Sequence, residues 1–327
     1  MGNDSFDRWQ AQEWAPKMIE PLRCLRDSRI GLVARLLLAG HHAKGQQRLV
    51  DKWSAQLGIP ALEIKQLPRK NGTNSTLFIL GSGESVENLG PREFAHIAEH
   101  FSIGINAWPL HPFVADVYAF EPFDTQSVDY MQLFNTVLRE GRFMEKKPEF
   151  LLFRPHNQID AERYLRIPEE LRENAHLYGR FVPLTVDKKT LFGEVKALNW
   201  LRERNLLGRS LVMDLGATVI RMVSLGLLLE YQNIVLIGVD LNGGTYFWER
   251  NPHRLRQRGL ASFSPGHNRG VHETMTRGEK AFVLTEVLAQ LQRLATLQGK
   301  TLSVGSASSL LAEFLPVYAW ESEKSPS

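Results

Sequence analysis

The chain has 327 residues, 43% hydrophobic and 23% charged, the balance of a globular protein with a buried core, and is long enough for one large domain or two modest ones. A formal net charge of +3 is too small to suggest nucleic-acid binding; it fits a protein that handles an anionic small molecule or rests near an anionic membrane surface. The single cysteine, Cys24, excludes an intramolecular disulfide, and with no signal-peptide pattern and no apolar run long enough for a bilayer the expectation is a cytoplasmic protein.

Residues 1–70 read as an N-terminal helical extension. The stretch 21–38 has apolar residues at near-helical spacing with Arg23, Arg26, Arg29 and Arg35 between them, and 46–57 reads as a second helix. Such a basic face suits an anionic membrane surface, as in peripheral attachment to the inner face of the cytoplasmic membrane. The reading a charge run favours is plainer: a helix packed on the core with its arginines in solvent. Residues 67–75, rich in Pro, Asn, Gly and Ser, read as a linker.

From Thr76 the pattern changes. Short apolar runs at 77–80, 102–105, 114–120, 150–153, 234–239 and 302–304 read as strands. They alternate with helical stretches at 91–100, 125–139, 160–173, 192–205, 217–231 and 277–297. Alternation of this kind implies an α/β fold with a largely parallel sheet. No internal repeat or low-complexity tract interrupts it. The segment 243–271 has no steady period and carries Arg250, His253, Arg254, Arg256, Arg258, His267 and Arg269; it reads as a basic lid over a strand-end site or as a plain solvated loop.

Two strand ends carry candidate chemistry. The run Val235-Leu-Ile-Gly-Val-Asp240 is a buried strand that ends on an aspartate and opens into a polar loop, the place where open α/β sheets hold ligands. Upstream, Gly81-Ser82-Gly83-Glu84-Ser85 follows another strand, where glycines let backbone N–H groups approach a phosphate; a tight structural turn is the alternative. Position 86 is Val, and no acidic residue stands about 20 positions on, so a dinucleotide site is disfavoured. Asn106 ends the second strand, where it can donate to a phosphate or simply form a turn.

His267 and His272 follow the basic segment. An imidazole there can take a proton from a hydroxyl near neutral pH, and a capping or surface role is the alternative. His96-Ile-Ala-Glu-His100 matches an inverted zincin pattern, read as a chance match because no third ligand stands out. No Asp-x-Asp pair and no Gly-x-Ser-x-Gly elbow occur, which speaks against a carboxylate-held divalent cation and against a serine hydrolase.

In this order the motifs resemble those of the bacterial sialyltransferases of glycosyltransferase family 42. The family's first-strand loop, Gly-Asn-Gly-Pro-Ser-Leu, is similar to Gly81-Ser82-Gly83-Glu84-Ser85-Val86, and its second-strand Asn is matched by Asn106. Its Tyr/Asn-Pro step is echoed by Glu121-Pro122, and its Gly-Ile-Asp-Phe-Tyr strand end by Gly238-Val239-Asp240-Leu241-Asn242, with Tyr246 as the further lid tyrosine. A Gly-His before a Lys-Ala-rich helix is matched by His272 before Glu279-Lys280-Ala281, and Asn-Ser-Leu-Leu-Ala-Asn-Phe by Ser308-Ser309-Leu310-Leu311-Ala312-Glu313-Phe314. The resemblance covers about residues 76–320; residues 1–70 have no counterpart.

The resemblance implies one Rossmann-like, doubly wound, mostly parallel sheet of the GT-A-like sialyltransferase type over residues 71–327, with a lid around 243–271. It implies an inverting, metal-independent transferase with a CMP-activated sugar as donor substrate, no cofactor, and a glycan acceptor such as lipooligosaccharide or capsule. His272 would be the general base, with Tyr246 and Asn242 on the leaving phosphate. Gly81, Ser82, Gly83, Ser85, Asn106, Asp240, His267, Ser308 and Ser309 would bind the donor. Two positions depart from the family: Ser82 stands where it has Asn, and Asn242 where it has the first Tyr. The donor is therefore sialic acid or another ulosonate, such as Kdo, pseudaminic or legionaminic acid. A pterin diphosphokinase-like or flagellin-type transferase of related fold, and a non-catalytic nucleotide-binding module in polysaccharide assembly, remain alternatives. A homo-oligomer is compatible with the sequence.

Overall fold

The computed structural model describes residues 29–67, 75–120, 136–155, 162, 164–184, 188–242, 245–250, 252–260 and 282–320. The first described element is helix α1 (Arg29–Leu57), one helix of 29 residues where two were expected. Gly40 and Gly45 suggest a break, since each costs about 1 kcal/mol relative to Ala inside a helix. Packing overrides that cost: Ala39, Ala43, Val50 and Trp53 on one face are buried, while Ile30, Val33 and Leu37 on the opposite face are exposed. Arg35 is also buried, its Nε 3.1 Å from Glu194 Oε2, which corrects the expectation of a fully solvated basic face.

Beyond α1 the chain alternates strand and helix. In order come β1 (Thr76–Leu80), α2 (Pro91–Glu99), β2 (Phe101–Ile105), β3 (Val117–Phe120), α3 (Gly141–Glu145), β4 (Phe150–Phe153), α4 (Glu169–Arg172) and β5 (Ala175–Leu177). Then follow β6 (Gly179–Phe181), α5 (Lys188–Glu203), β7 (Leu211–Met213), α6 (Thr218–Leu228), β8 (Asn233–Ile237), α7 (Pro252–Gln257), α8 (Leu284–Leu297) and β9 (Thr301–Val304). Among the described residues seven strands form one sheet in the order β5-β4-β3-β2-β1-β8-β9, and its ladders are all parallel. This is the expected α/β class. The strands are buried almost throughout, as parallel strands covered on both faces must be.

Three differences from the sequence reading have local causes. Strands β5, β6 and β7 have three residues each, too short to display a period, and β6 and β7 form a separate two-stranded parallel sheet. Among the described residues of the helix expected over 160–173, Glu162 is helical, followed by a 3-10 turn (Tyr164–Arg166) and the short α4, the two separated at Pro168, which cannot continue a helix. The start of the expected lid is folded: a 3-10 turn (Phe247–Arg250) and α7 bury Phe247, Trp248, Leu255 and Leu260. Residues 261–281 lie outside the described residues.

Candidate functional site

Because β2, β1, β8 and β9 are neighbours and parallel, their carboxyl ends lie side by side. The chain leaves β1 towards β2 on one side, and leaves β8 towards β9 on the other. The direction of winding therefore reverses between β1 and β8, and such a switch point is where open α/β sheets bind ligands.

The loops after β1 and β8 are bound to each other. Gly81 N donates to Ile237 O and Gly83 N to Gly238 O, both at 2.7 Å. Gly238 has φ +62, and a Cβ there would fall 2.7 Å from Gly81 O; a Cβ on Gly83 would fall 2.3 Å from Asp240 Oδ2. Asp240, 8% exposed, accepts from Ser85 N at 2.8 Å on Oδ2 and from Ser85 Oγ at 2.5 Å on Oδ1. The loop also bridges the far side of the β8 segment: Phe247 N donates to Ser82 O at 3.1 Å, and Thr245 Oγ1 to Glu84 Oε2 at 2.9 Å. The amides of Gly81, Gly83 and Ser85 are thus accepted by protein atoms. The Ser82 hydroxyl is buried and has no hydrogen-bond partner among the described residues.

The loop after β9 closes onto the β8 loop. Ser309 Oγ donates to Val239 O at 2.7 Å and accepts from Leu311 N at 3.2 Å, capping a 3-10 turn (Leu310–Glu313). Leu310 N donates to Asp240 O at 2.9 Å. Asn242 is exposed, its Nδ2 donating to Ser308 O at 3.0 Å, and the preceding Leu241 has φ 60, a left-handed conformation unusual for a branched side chain. Ser308 Oγ pairs with Ser306 Oγ at 2.8 Å. The Tyr246 ring stacks on Trp248 with centroids 4.4 Å apart. A small cavity of about 90 Å³ beside this stack is lined by Glu87, His111, Phe247, Trp248 and Arg258 among others, too little space for a nucleotide.

Asn106 stands exposed at the end of β2 in the left-handed region, φ 54, which asparagine tolerates. Its Oδ1 accepts from Thr218 Oγ1 at 3.2 Å. Behind Thr218 lies a cluster absent from the sequence reading. Arg221 Nη2 donates to Thr218 Oγ1 at 2.7 Å, and Arg221 Nη1 to Asp214 Oδ1 at 2.9 Å. Arg180 Nη1 reaches Asp214 Oδ2 at 3.2 Å and Arg154 Nη1 at 3.8 Å. Burial alone would raise the Asp214 pKa, but Arg221, Arg154, Arg180 and the Gly216 N–H together hold it well below the usual carboxylate range. The one visible signal was an arginine inside the otherwise apolar run Thr218-Val-Ile-Arg221-Met-Val, because a buried helix keeps a charge only where it is paired.

The structure therefore brings Gly81, Ser82, Gly83, Ser85, Asn106, Asp240, Asn242, Tyr246, Ser308 and Ser309 to the carboxyl ends of β1, β2, β8 and β9. His267, His272, Glu121-Pro122 and Glu279-Lys280-Ala281 lie outside the described residues. His96 Nε2 bonds Tyr318 Oη at 2.9 Å within a group of rings that includes Phe78, His100 and Trp320. No group of three His, Cys, Asp or Glu is placed to hold a metal among the described residues, and no helix there is long and apolar enough to cross a membrane.

No protein-family model and no curated protein matches the chain. Solved structures similar to it include the sialyltransferase CST-II in complex with a trisaccharide acceptor and CMP, at 14% identity over 74% of this chain and 86% of that one, TM-score 0.40. A variant of the same protein with CMP has 16% identity over the same shares and TM-score 0.39. Monomeric CstII has 14% identity, again over 74% and 86%, and TM-score 0.36. A likeness this distant carries no inference about chemistry; the α/β class rests on the sheet itself.

Proposed function

We propose that the chain is an inverting, metal-independent glycosyltransferase that moves sialic acid or a related ulosonate from a CMP-activated donor to a hydroxyl of a surface glycan, lipooligosaccharide or capsule. The supporting observation is that the loops after β1, β8 and β9, which carry the motifs resembling the family's donor site, are hydrogen-bonded into one surface at the switch point of the sheet. In this reading the donor lies across Ser82, Asn106 and Ser308, and His267 is a further residue that binds it. The amides of Gly81, Gly83 and Ser85 hold the loops together, and Asp240 acts as their clamp.

His272 takes the proton of the acceptor hydroxyl as its oxygen attacks the anomeric carbon. The bond from that carbon to the phosphate oxygen breaks, and CMP leaves with the electron pair. Tyr246 and Asn242 donate hydrogen bonds to the phosphate as its charge grows, stabilising the leaving group electrostatically. Losing a general base costs roughly 10²–10⁴-fold in turnover. His272→Ala is expected to lose activity on that scale; near-normal turnover would remove His272 from the role and make His267 the next residue to substitute.

The test is CMP release from CMP-activated sialic acid, Kdo, pseudaminic and legionaminic acids, with and without EDTA. Release that survives EDTA supports the reading. ATP-dependent product formation on a pterin would replace it with a diphosphokinase, and tight CMP binding without turnover on any acceptor would replace it with a nucleotide-binding module.

A further inference from the structure

We infer that Arg221, acting through Thr218, is a positioning residue that holds Asn106 with Oδ1 on Thr218 and its Nδ2 protons outward, so that the group they receive is a hydrogen-bond acceptor. Each step follows from the hydrogen bonds around Thr218. A guanidinium has donors and no acceptor. Arg221 spends Nη1 on the buried Asp214 carboxylate at 2.9 Å and Nη2 on Thr218 Oγ1 at 2.7 Å. The Thr218 oxygen is therefore an acceptor on that side, and its single proton is free to point elsewhere. The Asn106 side chain lies 3.2 Å away.

With the Asn106 amide turned the other way, Thr218 Oγ1 would accept from both Arg221 and Asn106, and its proton would lose the Asn106 oxygen as its acceptor. The observed arrangement keeps that bond, with Oδ1 on Thr218. Both Nδ2 protons then face outward on an exposed residue at the end of β2, and no described group takes them. The anchor is rigid: Arg221 and Asp214 are each 1% exposed, and Asp214 also meets Arg154 and Arg180. A phosphate, carboxylate or carbonyl oxygen satisfies such a donor pair. If the proposed donor is right, the matching group is one of its anionic oxygens; that last step rests on the proposed function, the orientation of Asn106 does not.

The experiment uses the full chain and reads two things. The first needs no ligand: exchange with water of the Asn106 side-chain amide protons, by NMR, with the signals assigned by their loss in Asn106→Asp. The proposal expects exchange as fast as for any exposed asparagine. Protection that vanishes in Thr218→Val would show the amide donating to Thr218 and overturn it. The second is CMP binding by calorimetry. Thr218→Val is expected to weaken it about 10-fold, and Thr218→Ser, which keeps the hydroxyl, to restore it. Equal loss in both variants, or no loss in Thr218→Val, would overturn the relay. A wild-type chain that binds no CMP would sink the donor reading alone, since the exchange measurement still decides the orientation.

Discussion

Among the described residues the Asp240 carboxylate is held by one residue through both of its polar hydrogens: the Ser85 amide meets Oδ2 and the Ser85 hydroxyl meets Oδ1. At 8% exposure a carboxylate depends on such bonds, because water does not replace them. Ser85→Ala is expected to destabilise the fold by about 1–3 kcal/mol, the cost of leaving a buried acceptor short of a donor, measured as a shift in the urea midpoint. The glycines around this clamp allow loop to lie on loop. Gly238→Ala combines a left-handed φ of +62 with a Cβ 2.5 Å from Val86 Cγ2 and 2.7 Å from a backbone oxygen. It is expected to cost more than Ser85→Ala in the same measurement, since backbone has to move.

At the scale of elements, α1 is tied to the α/β core by an ion pair across 159 residues of sequence, Arg35 to Glu194 on α5. Glu194 is fully buried and its other oxygen accepts from Leu184 N. Removing the guanidinium alone takes a counter-charge from the buried Glu194, so Arg35→Ala is expected to cost about 3–5 kcal/mol. Replacing both partners by apolar residues of similar size, Arg35→Met with Glu194→Leu, is expected to recover most of that in chemical unfolding. A charge run in a sequence shows no distant partner, which is why this arginine reads as solvated until the fold is known. Prolines and glycines are likewise read by local cost alone: Pro168 does break its helix, whereas Gly40 and Gly45 do not, because α1 is held by what it packs against.

At the scale of the whole molecule, apolar side chains cover both faces of the seven-stranded sheet, and α1 lies near the buried arginines through His42. Burial first, then Arg180 and His41, lowers the His42 pKa to about 4 from an ordinary 6.5. The unfolded chain therefore binds a proton at His42 between pH 6.5 and 4 that the native state does not. The stabilisation is complete above about pH 6.5 and falls as pH drops through that window, by on the order of 3 kcal/mol. His42→Gln is expected to flatten the loss between those pH values, read as the melting temperature across a pH series.

Much was legible in the amino-acid sequence itself. Six of the nine strands among the described residues, the α/β class and the two polar strand ends follow from apolar runs and the turn formers that stop them, which are properties of neighbours in the chain. The three-residue strands left no period to read. Tertiary structure alone decided that β1 and β8 are adjacent, that Asp240 receives Ser85, that Arg35 goes inside, and that Arg221 lies behind Asn106. Each depends on residues many positions apart, and a sequence pattern records what a residue prefers but not which distant group satisfies it. That is why the strand-end glycines suggest a phosphate cradle in the sequence while the folded chain spends their amides on joining two loops.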